Sequence, residues 1–259
     1  MAKSSQQGGR RAGMPAERSV VDETTHTAQR VALAEAQVGT GGRIYRILRT
    51  NEFDAKDKAT PVPLFGARFA PFGDDFAGEA RKAAKLAIAD VQVEDLPNVG
   101  ALVDTLPSKT AMVRHRPRIT TDPESGRVAE ENRNVRLRAF LYAASREADN
   151  DFHLIIGDTP SAEPHVYMTS EISGLPPEGS GSFATLKSAR DAYKSFFGDN
   201  LPNASYDFYD PPIPIEIEGS LFFDMSHANG RSPGPPSLHP DMPTIWEIHP
   251  LSKIVFEPQ

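Results

Sequence analysis

The sequence predicts a mainly β protein, and two observations support that prediction. Apolar and polar residues alternate along five segments of the C-terminal half, as expected of strands with one buried face. A segment with helical spacing, 183–197, lies between the third and the fourth of them. Three strands, a helix and two more strands is the element order of an OB-fold, a five-stranded, partly open barrel. The candidate strands are 135–143, 151–157, 165–172, 213–225 and 244–256.

The first and the fourth of these strands alternate most clearly. Val135, Leu137, Ala139 and Leu141 fall on one face of the first strand, with Arg136 and Arg138 on the opposite face. In the fourth strand, isoleucines alternate with proline and glutamate as far as Gly219. That glycine predicts a bulge or bend, because glycine is favoured where a barrel strand coils sharply. The preceding run 206–210, rich in tyrosine and aspartate, is predicted to be a loop that covers apolar surface.

The N-terminal end of the chain has weaker patterns. Residues 1–40 begin with small and polar side chains, which bury too little apolar surface to offset the entropy of ordering. A disordered tail is therefore predicted there, with a short Ala-rich helix at 27–37. A β-prone stretch at 43–48 predicts a strand.

Residues 41–126 are predicted to form an irregular N-terminal region with one helix. The helix is placed at 76–91, where alanines recur at offsets of three and four residues. A turn-rich loop follows, and a domain boundary is predicted in it, near residue 125. Residues 127–259 then form the OB-like barrel, and the N-terminal region packs on it or extends from it.

Composition restricts the function classes. A formal net charge of -7 argues against a general nucleic-acid coat, because neutralising phosphates requires clustered Lys and Arg. The absence of cysteine excludes a disulfide scaffold, a thiolate zinc site and a cysteine nucleophile. No apolar run has the length of a membrane span, and no secretory signal is recognisable. A soluble protein with a cytoplasmic location is the expectation.

Three polar motifs interrupt the strand patterns. The first is at the turn into the second strand, the second ends the fourth strand, and the third lies within the fifth. In the third, Glu247 and His249 share one face because side chains in a strand repeat every two residues. The candidate ligand-binding residues of the three motifs are Asp149, Asp151, His153, Asp224, His227, Glu247 and His249.

These motifs resemble those of a group of uncharacterised bacterial proteins with a D-x-D-x-H-L turn, an F-D-x-x-H strand end and an E-[IL]-H-P strand. The resemblance covers about 127–259, and the E-I-H-P element is its most specific part. Many members look secreted and carry a cysteine after the third strand, whereas this chain has neither feature. The resemblance implies an OB-like barrel and no established activity.

Carboxylates beside imidazoles have several interpretations. The histidines can supply nitrogen ligands and the carboxylates oxygen ligands to zinc or a similar metal. A carboxylate can orient a histidine for general-base catalysis. In the structural interpretation, the favoured one, each histidine donates to a carboxylate or a carbonyl and ties loops to the rim of the barrel. No compact metal-ligand motif such as H-E-x-x-H is present.

A second candidate surface lies on the first strand. Arg136 and Arg138 alternate with Phe140 and Tyr142 on the face opposite the aliphatic residues. Outward aromatic residues beside arginines can stack the bases of a single-stranded nucleic acid. Acidic residues on the later strands oppose this interpretation.

The leading functional hypothesis is a non-catalytic binding or structural interaction module of unknown ligand. Its expected partner is another macromolecule, a protein before a nucleic acid, and not a membrane. The alternatives are a metal- or His/carboxylate-dependent hydrolase and a single-strand nucleic-acid binder. The sequence by itself assigns no catalytic residue, no cofactor and no metal.

Overall fold

A computed structural model describes residues 34–39, 42–54, 73–228, 230 and 232–258. Eight strands and four α-helices occur within these ranges. The strands are β1 (Ala34–Val38), β2 (Tyr45–Arg49), β3 (Val93–Leu96), β4 (Asn134–Arg146), β5 (Phe152–Gly157), β6 (Tyr167–Ile172), β7 (Asp207–Phe223) and β8 (Trp246–Phe256). The helices are α1 (Lys82–Lys85), α2 (Val99–Val103), α3 (Lys109–Val113) and α4 (Phe183–Phe197).

The strands form one mixed sheet, which confirms the mainly β class. Its order is β1-β2-β7-β8-β6-β5-β4-β3, and β7 pairs in addition with β4. The β3–β4 and β6–β8 pairs are parallel and the others antiparallel. Pairing among the five C-terminal strands therefore runs from β4 through β5, β6, β8 and β7 back to β4.

The five C-terminal strands and the helix between them occur where the alternation predicts them. Helix α4 has the predicted bounds, and Gly198 follows it with a positive φ of 53°. Its apolar face packs against β8, where Phe196 stacks on Phe256 with ring centroids 4.0 Å apart. Tyr193 also lies 4.6 Å from the ring of Phe152 on β5. The helix thus contributes Tyr193 and Phe197 to the apolar core.

The prediction of a long helix at 76–91 is wrong, because α1 has only four residues. Backbone amides before it bond to other segments: Phe76 donates to Leu175 and Ala77 to Asp149. Arg81, the residue before the helix, has a left-handed backbone with φ 52°. Tertiary contacts have overridden the alanine periodicity, as they commonly do for weak local propensity.

The region at 41–126 is more regular than predicted. It contains β2, β3 and three short helices, and both strands belong to the main sheet, β2 through β7 and β3 through β4. The strand predicted at 43–48 is confirmed with bounds shifted to β2. The boundary near residue 125 stays a prediction.

The predictions for 1–40 are only partly covered by the described residues. Residues 34–38 form β1, which pairs with β2, so this part is neither tail nor helix. The rest of the predicted tail and of the helix at 27–37 lies outside the described residues, apart from Gly39. None of the helices in the described parts of the chain has the length and apolar character that crossing a membrane requires.

The bend predicted at Gly219 is present, since the β7–β8 register shifts on both sides of this residue. A Cβ atom there would lie 2.5 Å from the carbonyl oxygen of Pro250 and 2.8 Å from the Ile248 side chain.

We therefore expect Gly219→Ala to lower the free energy of unfolding by about 1–3 kcal/mol, the usual range for overpacking. Gly126→Ala is the matched control, because a Cβ at Gly126 meets no atom within 4 Å. Urea denaturation of both variants measures the difference. Equal stabilities would contradict the close approach.

The run 206–210 is not a loop as predicted, since β7 begins at Asp207. The Asp207 carboxylate is buried and lies 3.6 Å from Nε of Arg49. Burial raises the pKa of Asp207 to about 7, against the opposing effect of Arg49.

A raised pKa for Asp207 gives stability a defined pH dependence. The Asp207 carboxyl binds its proton more tightly in the folded state than in the unfolded chain. The protonated carboxyl therefore makes its full contribution to the free energy of unfolding below about pH 4, and this contribution is lost as the pH rises through about 7. Each pKa unit corresponds to about 1.4 kcal/mol, so a loss on the order of 2–4 kcal/mol is expected. The difference in unfolding free energy between wild type and Asp207→Asn, measured from pH 4 to 8, isolates this residue. A difference independent of pH would contradict the shift.

Candidate functional site

Three neighbouring strands place ionisable side chains on one buried face. His153 on β5 is the register partner of Glu171 on β6, and Thr169 of β6 is the partner of Glu247 on β8. His249 follows Glu247 by two residues and shares its face. The histidines and glutamates of this group are at most 1% exposed. The sheet register, rather than proximity along the chain, brings them together.

His249 lies among three carboxylates. Its Nδ1 is 2.8 Å from Oε2 of Glu171 and 3.7 Å from Oε2 of Glu247. Its Nε2 is 3.5 Å from Oδ2 of Asp151, in the turn before β5. The other oxygen of Asp151 accepts a hydrogen bond from the Gly174 amide at 2.6 Å. The turn into β5 and the strand β8 therefore meet at His249.

His153, the register partner of Glu171, contacts a further group of side chains. Its Nδ1 is 2.8 Å from Oε1 of Glu147, 3.1 Å from the Tyr206 hydroxyl and 3.9 Å from Oδ2 of Asp54. Asp54 follows β2 and enters this interior from the N-terminal region. His153 thus connects the β-strand face with residues far away in the sequence.

Asp54 also reaches the end of β7. Its Oδ1 lies 3.2 Å from Nε2 of His227, and its Oδ2 accepts a hydrogen bond from the Gly234 amide at 2.7 Å. The Nδ1 atom of His227 contacts Asp224. The F-D-x-x-H strand end therefore joins the same interior as the other two motifs.

Lys85, the last residue of α1, places its ammonium beside this interior. Its Nζ lies 3.1 Å from Asp149, 3.6 Å from Asp151 and 3.8 Å from Glu171, with the side chain 11% exposed. Burial alone lowers the pKa of Lys85, but the surrounding carboxylates raise it well above its usual value. Lys85 therefore stays protonated. We call the complete set the ionic cluster: Asp54, Lys85, Glu147, Asp149, Asp151, His153, Glu171, Asp224, His227, Glu247 and His249.

The ionic cluster is rich in carboxylates. Seven carboxylates face one lysine and three imidazoles, so seven negative charges against four positive ones leave -3 even with every imidazole protonated. Arg146, which interacts electrostatically with Asp151, and Arg127, which donates to the His249 carbonyl at 2.6 Å, lie beside the cluster and reduce the excess to -1 when both are counted. Burying an uncompensated charge costs several kcal/mol, so the cluster requires protons or a cation.

The pKa values reflect this excess. Burial alone lowers the pKa of His153, but Glu147 and more distant carboxylates raise it to about 10. Burial also lowers the pKa of His249, and Glu171 together with Glu247 raises it to about 9. Burial and the neighbouring Asp149 raise the pKa of Asp151 well above its usual range, whereas His249 and Lys85 hold that of Glu171 well below it against the effect of burial. In the absence of another cation, the cluster holds protons.

The geometry of the ionic cluster also fits a metal ion. Four overlapping sets each bring three ligand atoms within 4.8 Å of one another. Ligands about 2.0–2.2 Å from a tetrahedral metal are about 3.3–3.6 Å apart, and Nε2 of His249 lies 3.5 Å from Oδ2 of Asp151. The Nε2 atoms of His153 and His249 are buried and make no hydrogen bond within the described residues. The sets are Asp54–Glu147–His153, Asp151–Glu171–His249, His153–Glu171–Glu247 and Asp224–His227–Glu247.

A cleft of about 280 Å³ lies against one side of the ionic cluster. Its polar wall includes Lys85, Glu147, Asp149 and Asp224, and its apolar wall includes Phe222. Asp149 is the most exposed of the cluster carboxylates that form ion pairs, at 18% of its side chain. The cleft therefore connects the cluster with solvent through Lys85 and Asp149.

The structure brings together all seven residues of the three predicted motifs, and His249 of the E-I-H-P strand lies 3.5 Å from Asp151 in the turn into β5. Sequence reasoning missed Asp54, Lys85, Glu147 and Glu171. Only Glu171 carried a signal, since it is a lone carboxylate in the predicted third strand. The other three depend on loops and on α1, whose positions no periodicity predicts.

The arginine and aromatic residues of β4 are occupied with other contacts. Arg136 pairs with Glu218 at 2.8 Å and with Asp95 at 3.1 Å. Arg138 is 3.8 Å from Glu216, and the Tyr142 hydroxyl donates to the Asp158 carbonyl. Phe140 is half-buried. These contacts neutralise the patch and give no support to nucleic-acid binding.

A scan against protein-family models and searches of the curated proteins and of the solved structures give no match to this chain. The functional assignment therefore depends on the geometry of the ionic cluster.

Proposed function

We propose that this protein is a binding module whose ligand is a divalent transition-metal ion held by the ionic cluster. The observation that carries the proposal is the buried set Asp151–Glu171–His249, whose three ligand atoms lie within 4.8 Å of one another, together with Nε2 of His249, which makes no hydrogen bond within the described residues. A buried polar group normally has a partner, and its exceptions call for an explanation. A metal ion held by Asp151, Glu171 and His249 gives the imidazole of His249 a partner and offsets part of the excess negative charge.

Glu171 is central to the proposed metal site. It belongs to two of the four ligand sets, one with His249 and one with His153. Mixed imidazole and carboxylate ligands favour zinc and its transition-metal neighbours, whereas magnesium and calcium prefer oxygen alone. Zinc is therefore the first probe.

The fold proposed to hold the site is an OB-like barrel. Its support is the closed pairing path through β4, β5, β6, β8 and β7, together with helix α4 between β6 and β7. Three of the cluster strands, β5, β6 and β8, are neighbours on this path. In this arrangement the metal lies inside the barrel wall, beneath the cleft.

Direct binding tests the proposal. Metal analysis of the purified protein, followed by calorimetric titration of chelator-treated protein with zinc, is expected to show one tightly bound ion. Glu171→Gln should weaken binding at least tenfold. The matched control is Glu216→Gln on β7, outside the cluster, which should bind as wild type does. A wild-type protein that neither contains nor binds zinc, manganese or nickel would refute the proposal.

A hydrolase is the second candidate function, and the cleft is the observation that favours it. A metal ion beside a solvent-connected cleft can activate water, and Glu147 lines that cleft as a potential general base. Hydrolysis of carboxyl and phosphate ester probes by the zinc-loaded protein, abolished in Glu171→Gln, would support it. Metal binding without hydrolysis of these probes would contradict the hydrolase and favour the non-catalytic binding module.

A further inference from the structure

We propose that Lys85 is a tethered cation that competes with the metal for the ionic cluster and moves into the cleft when the metal binds. This inference rests on the proposed function. Lys85 is a positioning residue here, because it sets the affinity of the site without being a ligand.

The position of the ammonium is the first argument. Nζ of Lys85 lies within 3.8 Å of carboxylate oxygens of Asp151 and Glu171, two members of one candidate ligand set. A metal bound by that set would be only a few ångströms from the ammonium. Two positive charges at that distance in a buried site repel strongly. The metal and the inward ammonium therefore exclude one another.

The surroundings of Lys85 supply an alternative position. The residue lines the cleft, whose volume of about 280 Å³ leaves room for the end of a lysine side chain. Asp149 lines the same cleft and already pairs with Nζ at 3.1 Å. The ammonium can thus leave Asp151 and Glu171 while keeping its contact with Asp149.

The helix that carries Lys85 is held in place, so the exchange is confined to the side chain. Arg81, the residue before α1, is bound to Glu131 through two hydrogen bonds of 2.6 and 2.7 Å. Its guanidinium also lies 4.7 Å over the ring of Phe222. The backbone of α1 is anchored on the same side of the cluster as the cleft, and only the long lysine stem has to rotate.

Affinity measurements on charge variants test the inference. Lys85→Met is expected to bind zinc at least tenfold more tightly than wild type, because the internal competitor is removed. Lys85→Arg, which keeps the charge, should remain within about threefold of wild type. Lys194→Met is the matched control, since Lys194 pairs with Asp74 at the surface and should leave the affinity unchanged. Unchanged or weaker binding in Lys85→Met would overturn the inference while leaving the metal site intact.

A second measurement uses the wild-type protein and does not depend on a variant that folds. Acetylation of Lys85 by acetic anhydride, followed by peptide mass spectrometry, is expected to be faster after zinc is added, because the ammonium then lies in the cleft. The same or slower labelling with zinc bound would overturn the inference. If neither wild type nor Lys85→Met binds zinc, the proposed function fails and this inference fails with it.

Discussion

Removal of the metal with a chelator is expected to lower the Tm of the wild-type protein by about 8–16 °C. A ligand present at a thousand times its Kd stabilises the folded state by about 4 kcal/mol. For a chain of this size, each kcal/mol corresponds to about 2–4 °C. The same chelator should leave the Tm of His249→Ala unchanged, because that variant lacks the nitrogen ligand of the set Asp151–Glu171–His249.

His249→Ala has a second expected effect that separates the two interpretations of the ionic cluster. Without metal it should cost about 1–3 kcal/mol, the penalty for leaving buried partners unsatisfied. His165→Ala is the matched control, because His165 is partly exposed and lies beside the surface residue Glu163. A purely structural network predicts this loss with no chelator effect on wild type. A His249→Ala protein that melts as wild type does, with the chelator inert on both, would contradict both interpretations.

Glu131→Ala is expected to lower the free energy of unfolding by about 3–5 kcal/mol, the range for breaking a buried ion pair. Glu131 is fully buried and accepts both hydrogen bonds from Arg81. Its two oxygens also accept from the amides of Phe223 and Val128, each at 2.8 Å. Its removal leaves the buried Arg81 guanidinium without a counter-ion and leaves two backbone amides without their acceptor.

The measurement is urea denaturation of Glu131→Ala beside Glu94→Ala. Glu94 also pairs with an arginine, Arg133 at 2.7 Å, but its side chain is 44% exposed. Exposed pairs contribute about 0–1 kcal/mol, so this control should unfold almost as wild type does. Similar losses for the two variants would contradict a special role for the buried pair. Because Arg81 anchors α1, the Glu131 variant should also disturb the position of Lys85.

The predictions for Gly219 and for the pair Glu247 and His249 show what a local sequence pattern is able to predict. Alternation with period two placed Glu247 and His249 on one face, and the glycine indicated the bend in β7. Both depend on backbone geometry within a few residues. The prediction of a helix at 76–91 was wrong because it depended on local spacing alone. The amides of Phe76 and Ala77 bond to Leu175 and Asp149, which are distant in the sequence.

The sequence by itself determined the five C-terminal strands, the helix between β6 and β7 and the three polar motifs, because each is set by periodicity within one segment. The tertiary structure alone decided that β1, β2 and β3 join the same sheet and that Asp54, Lys85, Glu147 and Glu171 complete the ionic cluster. The contact between His227 and Asp54 spans 173 residues. Such contacts depend on strand register and loop closure, which single-segment patterns do not encode. The excess of negative charge, on which the proposed metal site depends, exists only because the fold brings those distant carboxylates into one buried space.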